Sequence, residues 1–151
     1  MIVTLASDHA GTTLKSSLCA MLESLGVTVL DLGPFDTASV DYPDYAHRLS
    51  AEVESGRADL GVLICGTGLG MSMAANRHSG IRAALCHDAF TAEMARRHND
   101  ANVVCIGARV TGESVAEQIA RVFVETEFEG DRHSRRISKI NCPEEAPTEE
   151  S

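Results

Sequence analysis

The strongest constraint on this chain is an alternation. Five short apolar runs are each followed by a stretch whose apolar residues recur at helical spacing, and glycine marks several of the changeovers. The runs at residues 2–6, 27–30, 60–65, 81–85 and 103–106 have strand length. Between the first two, Leu14, Leu18, Met21, Leu22 and Leu25 share one helical face and stop at Gly26, a C-terminal capping residue. Further helices are predicted over about 44–55, closed by Gly56, and over 71–76, 89–97 and 112–126. The run Leu60-Gly-Val-Leu-Ile-Cys65 is apolar at successive rather than alternate positions, which suits a strand covered on both faces. The fold class that follows is α/β: a three-layer, doubly wound (Rossmann-like) sheet of five parallel strands with flanking helices. Its predicted order is 2-1-3-4-5 or a close variant, with ligands beyond the carboxyl ends of the strands.

A chain of 151 residues supports one domain with a real core. That domain is placed at residues 1–140, including a basic C-terminal helix with Arg132, Arg135, Arg136 and Lys139. Residues 141–151 carry four glutamates without Lys or Arg and are predicted to be a disordered tail. A net charge of −9, four Phe, two Tyr and no Trp argue against nucleic acid, which needs cationic surface and stacking platforms. No apolar run approaches membrane-spanning length, and with no basic region before a long apolar stretch and with Asp8 so early, a signal peptide is not expected. The five cysteines, at 19, 65, 86, 105 and 142, are odd in number, widely spaced and without a CxxC pair, so neither a disulfide framework nor a zinc site is expected. The expected setting is the reducing cytoplasm.

The turn Cys65-Gly-Thr-Gly-Leu-Gly70 follows the buried third run. Glycines at 66, 68 and 70 allow several N–H groups to converge on an oxygen or phosphate beside a thiol. Each half of this signal has an ordinary reading: a strand-end cysteine also suits a core, and glycine-rich turns are common in α/β proteins. Met71 stands where the dinucleotide fingerprint needs its third glycine. The thiol gains weight from the polar sets next to other strands: Ser7-Asp8-His9, Cys86-His87-Asp88, His98-Asn99-Asp100-Ala-Asn102 and Gly107-Ala-Arg109. All are expected to gather at the carboxyl edge. Arg132 and Arg136 are four apart and can clamp a phosphate from one helical face, or serve as surface charge; Arg135 and Lys139 form a second pair, expected to be solvated.

Ser-Asp-His-Ala-Gly near the start, Asp41-Tyr42-Pro43, Cys65-Gly-Thr-Gly-Leu-Gly70, Ala75-Asn76, Gly80-Ile-Arg-Ala83, His98-Asn99-Asp100 and Gly107-Ala-Arg109 together resemble the ribose-5-phosphate isomerase B family. The resemblance covers residues 1 to about 140. The wider family also contains galactose-6-phosphate and allose-6-phosphate isomerases. It implies a cofactor-independent aldose–ketose isomerisation through ring opening and an enediolate, with no metal.

By that resemblance Cys65 is the base that moves a proton between C2 and C1, Gly66 to Gly70, with Thr67 and Leu69, form the anion hole, and Thr67 hydrogen-bonds near the thiol. An ordinary thiol titrates near about 8.5, and the adjoining helix start favours the anion. His98 matches the ring-opening residue, with Asp8 assisting or binding hydroxyls. His9, Arg109, Arg132 and Arg136 match phosphate ligands, and Tyr42 and Asn99 match substrate contacts. The resemblance also implies a homodimer, or a dimer of dimers, whose C-terminal arginines reach into the partner's pocket. Some relatives use a glutamate shortly after the turn, where this chain has Met71 and keeps Cys65. Arg77 stands where relatives often have lysine. Cys86 and Cys105 are expected to be core or rim residues without chemistry. A non-catalytic nucleotide- or sugar-phosphate-binding module is the alternative from outside the enzyme class.

Overall fold

The computed structural model describes residues 1–141; the rest of the predicted acidic tail lies outside the described residues. The elements run β1 (Ile2–Ser7), α1 (Thr12–Ser24), β2 (Thr28–Asp31), α2 (Tyr42–Glu54), β3 (Leu60–Cys65), α3 (Leu69–Ala75), β4 (Ala83–Leu85), α4 (Ala89–Asn99), β5 (Val103–Gly107), α5 (Glu113–Glu125) and α6 (Arg132–Ile137). The strands form one parallel sheet. No helix among the described residues is long and apolar enough to cross a membrane.

The strand order is β2-β1-β3-β5-β4, a close variant of the predicted 2-1-3-4-5 in which the last two strands exchange places. The physical reason is burial. Val103–Gly107 is buried at every position and can take an interior place, with neighbours on both sides. Ala83–Leu85 is three residues long and only half-buried, as an edge strand tends to be. Two residues that read as the start of this strand, Ile81 and Arg82, stay outside it.

Alternation along β3 divides the core into two layers. Val62 and Ile64 point to the face covered by α1, α4 and α5, where Leu18, Leu22, Ile119 and Phe123 are fully buried. Leu63 and Cys65 point to the other face, under Leu49 of α2 and Met71 of α3. A strand apolar at successive positions is therefore explained by a helical layer on each side. The chain leaves β1 toward β2 and returns toward β3, so β1 and β3 flank the switch point where sheets of this type bind ligands.

A buried cation fixes the same edge. Lys15 of α1 is 2 % exposed, and its Nζ lies 2.5 and 2.6 Å from the two carboxylate oxygens of Asp31 at the end of β2. Asp31 Oδ1 also accepts the Gly33 N–H at 2.8 Å, tying the pair to the loop that leads into α2. The ammonium is buried and the carboxylate is 28 % exposed, so losing the anion strands the charge. Asp31→Asn is expected to cost about 3–5 kcal/mol and Lys15→Met about half as much. Urea denaturation measures both, and equal losses would show that the pair behaves as an exposed one.

Candidate active site

Cys65 ends β3 at the switch point, 5 % exposed. Its sulfur accepts the Gly68 N–H at 3.1 Å. Thr67, expected to hydrogen-bond near the thiol, instead accepts the Leu69 N–H on Oγ1 at 3.3 Å, shaping the turn one residue further on. Gly68 has φ +79°, a conformation that side chains rarely adopt, and from it the chain enters the helix that begins at Leu69. Leu69, half exposed, is already the first residue of α3, two residues earlier than apolar spacing suggested. The turn is clamped to its neighbours: the Ala108 N–H reaches the Cys65 carbonyl at 2.8 Å and the Arg109 N–H reaches that of Gly66 at 2.9 Å.

The end of β1 stands beside the thiol. The Asp8 N–H donates to the Ile64 carbonyl at 3.0 Å, and the 8 % exposed Asp8 carboxylate accepts the N–H groups of Ala10 and Gly11 at 2.9 and 3.2 Å. His9 Nδ1 accepts the Val40 N–H at 3.3 Å, which leaves Nε2 as the ring's donor. The Arg109 side chain lies across Gly66, with Nη1 3.3 Å from where a Cβ would sit, and the Tyr42 ring closes over Gly70. At the crevice that sheets of this type leave beyond the carboxyl ends of their strands, Asp8, His9, Tyr42, Cys65, the Gly66–Gly70 turn and Arg109 are thus linked by neighbouring contacts.

His98 and Asn99 are not in that crevice, which corrects the expectation that every polar set gathers at the carboxyl edge. They end α4, and a helix that leaves the carboxyl end of one parallel strand finishes near the amino ends. The Asn99 carbonyl accepts from Arg82, just ahead of β4, and the Asn102 carbonyl accepts the N–H of Gly61 in β3. Five steps of about 3.3 Å separate the two ends of β3, so the rims lie roughly 16 Å apart.

On the amino rim a cavity of about 300 Å³ is lined by His98, Asn99, His133, Arg136, Ile137 and Ile140. Arg132, Arg135 and Arg136 are exposed on α6, and Lys139, just past its end, is exposed too. His98 stacks on His133, with ring centroids 4.4 Å apart and planes 12° apart. Burial, with the positive neighbours His98 and Arg132, holds the His133 imidazole below its usual range. Sequence reasoning did not single out Glu129 or His133, although their spacing of four was a usable signal.

Three further cysteines are described: Cys19, Cys86 and Cys105. Burial pushes Cys86 up to about 11 and, with Asp31 adding to it, Cys19 up to about 11; full burial beside Cys65 and Cys86 raises Cys105 well above the usual thiol range. These three remain thiols near neutrality, and a thiol is a far poorer base than a thiolate.

Residues 3–140 match the ribose/galactose isomerase family. The chain belongs to that family, a class of aldose–ketose isomerases. It is 41 % identical over 138 residues to ribose-5-phosphate isomerase B of Escherichia coli, covering 91 % of this chain and 93 % of that protein. Among solved structures, ribose-5-phosphate isomerase B of Clostridium thermocellum superposes with a TM-score of 0.91 at 44 % identity, covering 93 % of this chain and 95 % of that one. The enzyme of the same name from Thermotoga maritima gives 0.89 at 47 % identity, covering 91 % and 95 %.

The tightest approach at the turn is between backbones. A Cβ on Gly107 would lie 2.6–2.8 Å from main-chain atoms of Thr67, which cannot rotate away. Gly107→Ala is expected to lower stability by about 3 kcal/mol. Gly112→Ala, where nothing lies within 4 Å, should cost under about 1 kcal/mol. Matching urea midpoints for the two variants would show that the turn gives way without strain.

Proposed function

We propose that this chain interconverts ribose 5-phosphate and ribulose 5-phosphate without a metal or organic cofactor, using Cys65 as the base. The observation that carries the reading is the buried thiol with an N–H on its sulfur, set at the β1–β3 switch point beside Asp8, His9 and Arg109. The named relatives, similar along nearly their whole length, support the substrate.

The reaction opens the ring and then moves hydrogen between neighbouring carbons. His98 passes a proton between the anomeric hydroxyl and the ring oxygen, assisted by Asp8; an imidazole suits this because it gives or accepts a proton near neutrality. The Cys65 thiolate takes the C2 proton, the electron pair forms the C1–C2 double bond of a cis-enediolate, and the thiol returns the proton to C1. A hydroxyl proton passes from O2 to O1, which leaves a hydroxyl on C1 and the carbonyl at C2. Amides of the Gly66–Gly70 turn, with Thr67 and Leu69, hold the enediolate oxygens, where fixed donors are worth most. His9, Arg109, Arg132 and Arg136 bind the phosphate, and Tyr42 and Asn99 contact the sugar.

Cys65 and His98 lie on opposite rims, so one chain cannot place both on one sugar. The reading therefore includes a second copy: each site takes Cys65, Asp8, His9 and Arg109 from one copy and His98, Asn99, Arg132 and Arg136 from the other. The family's description also names galactose, which favours hexose 6-phosphates as a second reading.

Kinetics on ribose, allose and galactose phosphates separate the two readings, and Cys65→Ala is expected to lower kcat on the preferred sugar by about 10³-fold with little change in KM. Full turnover by Cys65→Ala would remove the mechanism. Mixing Cys65→Ala with His98→Asn tests the shared site: in dimers re-formed from an equal mixture, roughly a quarter of wild-type activity should return, from one intact site in each mixed dimer. No recovery after proven subunit exchange would place both residues in one chain's site.

A further inference from the structure

Beside His98 the fold places two further donors, Glu129 and His133, that the isomerisation chemistry does not use. Glu129 precedes α6, and its Oε2 lies 3.8 Å from His98 Nε2 and 3.4 Å from His133 Nε2. One donor atom from each of the three residues falls within 4.8 Å of the others. The second oxygen, Oε1, is taken by Arg97, whose Nε is 2.6 Å away, and Glu93 braces Arg97 from behind at 2.8 Å. The carboxylate is thus held in place with Oε2 turned toward two ring nitrogens, as supporting residues orient a metal-binding carboxylate. His133 is 6 % exposed, and its Nε2 has no hydrogen-bond partner. Buried polar nitrogens normally have a hydrogen-bond partner, and this one lies 3.4 Å from Glu129 Oε2 without forming such a bond.

Two imidazoles and one carboxylate suit zinc-class ions, which take nitrogen and oxygen at about 2.0–2.2 Å in tetrahedral sites. Tetrahedral donors at that distance are about 3.3 Å apart, close to the oxygen–nitrogen separations present. Magnesium and calcium want more oxygens. The nearly parallel rings must open for both lone pairs to meet one ion, and His98, 38 % exposed at the last turn of α4, is the ring with room to turn. Arg132 and Arg136 oppose a cation here, but both are exposed to solvent that screens them.

We propose that His98, Glu129 and His133 bind a zinc-class divalent cation, and that the ion inhibits the enzyme by occupying the His98 Nε2 lone pair. The inhibition rests on the assignment of His98 to ring opening; the binding site does not.

Zinc and cobalt are the probes, on the full chain. Competition against a chromophoric chelator should give one zinc per chain, bound at least about tenfold more weakly by Glu129→Gln and by His133→Asn, and unchanged by Cys65→Ser. Glu129→Gln keeps the shape of an exposed side chain, so it reports on the site even if His133→Asn folds poorly. Bound cobalt should give visible absorption without a sulfur charge-transfer band. Equal zinc affinity in wild type and Glu129→Gln overturns the site, as does a sulfur band lost in Cys65→Ser. Loss of binding in His78→Asn also overturns it, since His78 lies 2.8 Å from His47 and 3.0 Å from Glu54 in a separate cluster. Zinc should inhibit turnover of ribose 5-phosphate, and Glu129→Gln should relieve this by the factor it loses in affinity. Zinc bound at the cluster with turnover unchanged overturns the inhibition and the His98 assignment, leaving the binding site in place.

Discussion

β3 is held from four sides, and the candidate site depends on that. It is hydrogen-bonded to β1 and β5, covered by a helical layer on each face, and buried at all six positions. Its last residue therefore has no slack. The strand's neighbours then extend the grip past its end: the Asp8 N–H takes the Ile64 carbonyl, the Ala108 N–H that of Cys65, and the Arg109 N–H that of Gly66. A thiol and a row of amides held this way need no reorganisation when charge develops beside them, and fixed donors stabilise charge most where water is excluded.

Sheet polarity imposes the second constraint. With all strands parallel, each crossover helix begins at the carboxyl edge and ends at the amino edge. Residues just after a strand, such as Asp8 or Arg109, face the crevice. Residues ending a helix, such as His98 and Asn99, face away from it. The chain carries two separate sets: a thiol and its amides with Asp8, His9 and Arg109 on one rim, and the His98–His133 pair with Arg132 and Arg136 on the other. A fold of this kind unites them only by association, which is why the proposed chemistry and the proposed assembly stand together.

Much of this was legible because hydrophobic spacing reports burial directly. β1, β3, α1 and α5 lie within two residues of their predicted bounds, since each has a long apolar stripe and a clear stop. The exact strand order was not legible: the stretches at 81–85 and 103–106 both have strand length, and Arg82 in the first was the one sign of the edge position that leaves it half-exposed. The early start of α3 was hidden for a different reason. Leu69 and Gly70 enter the helix through the left-handed Gly68, a backbone feature with no apolar signature. Backbone donors were similarly silent, so the Gly68 N–H on the thiol and the Val40 N–H on His9 emerged only in three dimensions. Placing His98 on the carboxyl rim was an avoidable error, because a residue that ends a helix and precedes a parallel strand belongs to the other edge.

Charge follows the same division. The chain is acidic overall, yet its arginines are not spent uniformly. Arg57, Arg82, Arg96 and Arg97 are paired with carboxylates. Among the described residues no ion pair engages Arg109 over the glycine turn, or Arg132 and Arg136 on the far rim. The repulsion of a net negative surface is screened beyond about 8–10 Å, so the nearest unpaired cations decide whether an anion stays. A guanidinium without a carboxylate partner keeps its planar fork available for phosphate oxygens. The acidic composition and the proposed phosphate chemistry are compatible for this reason: Arg109 on one rim, and Arg132 and Arg136 on the other, are free of ion pairs among the described residues, and a second copy would bring these rims together.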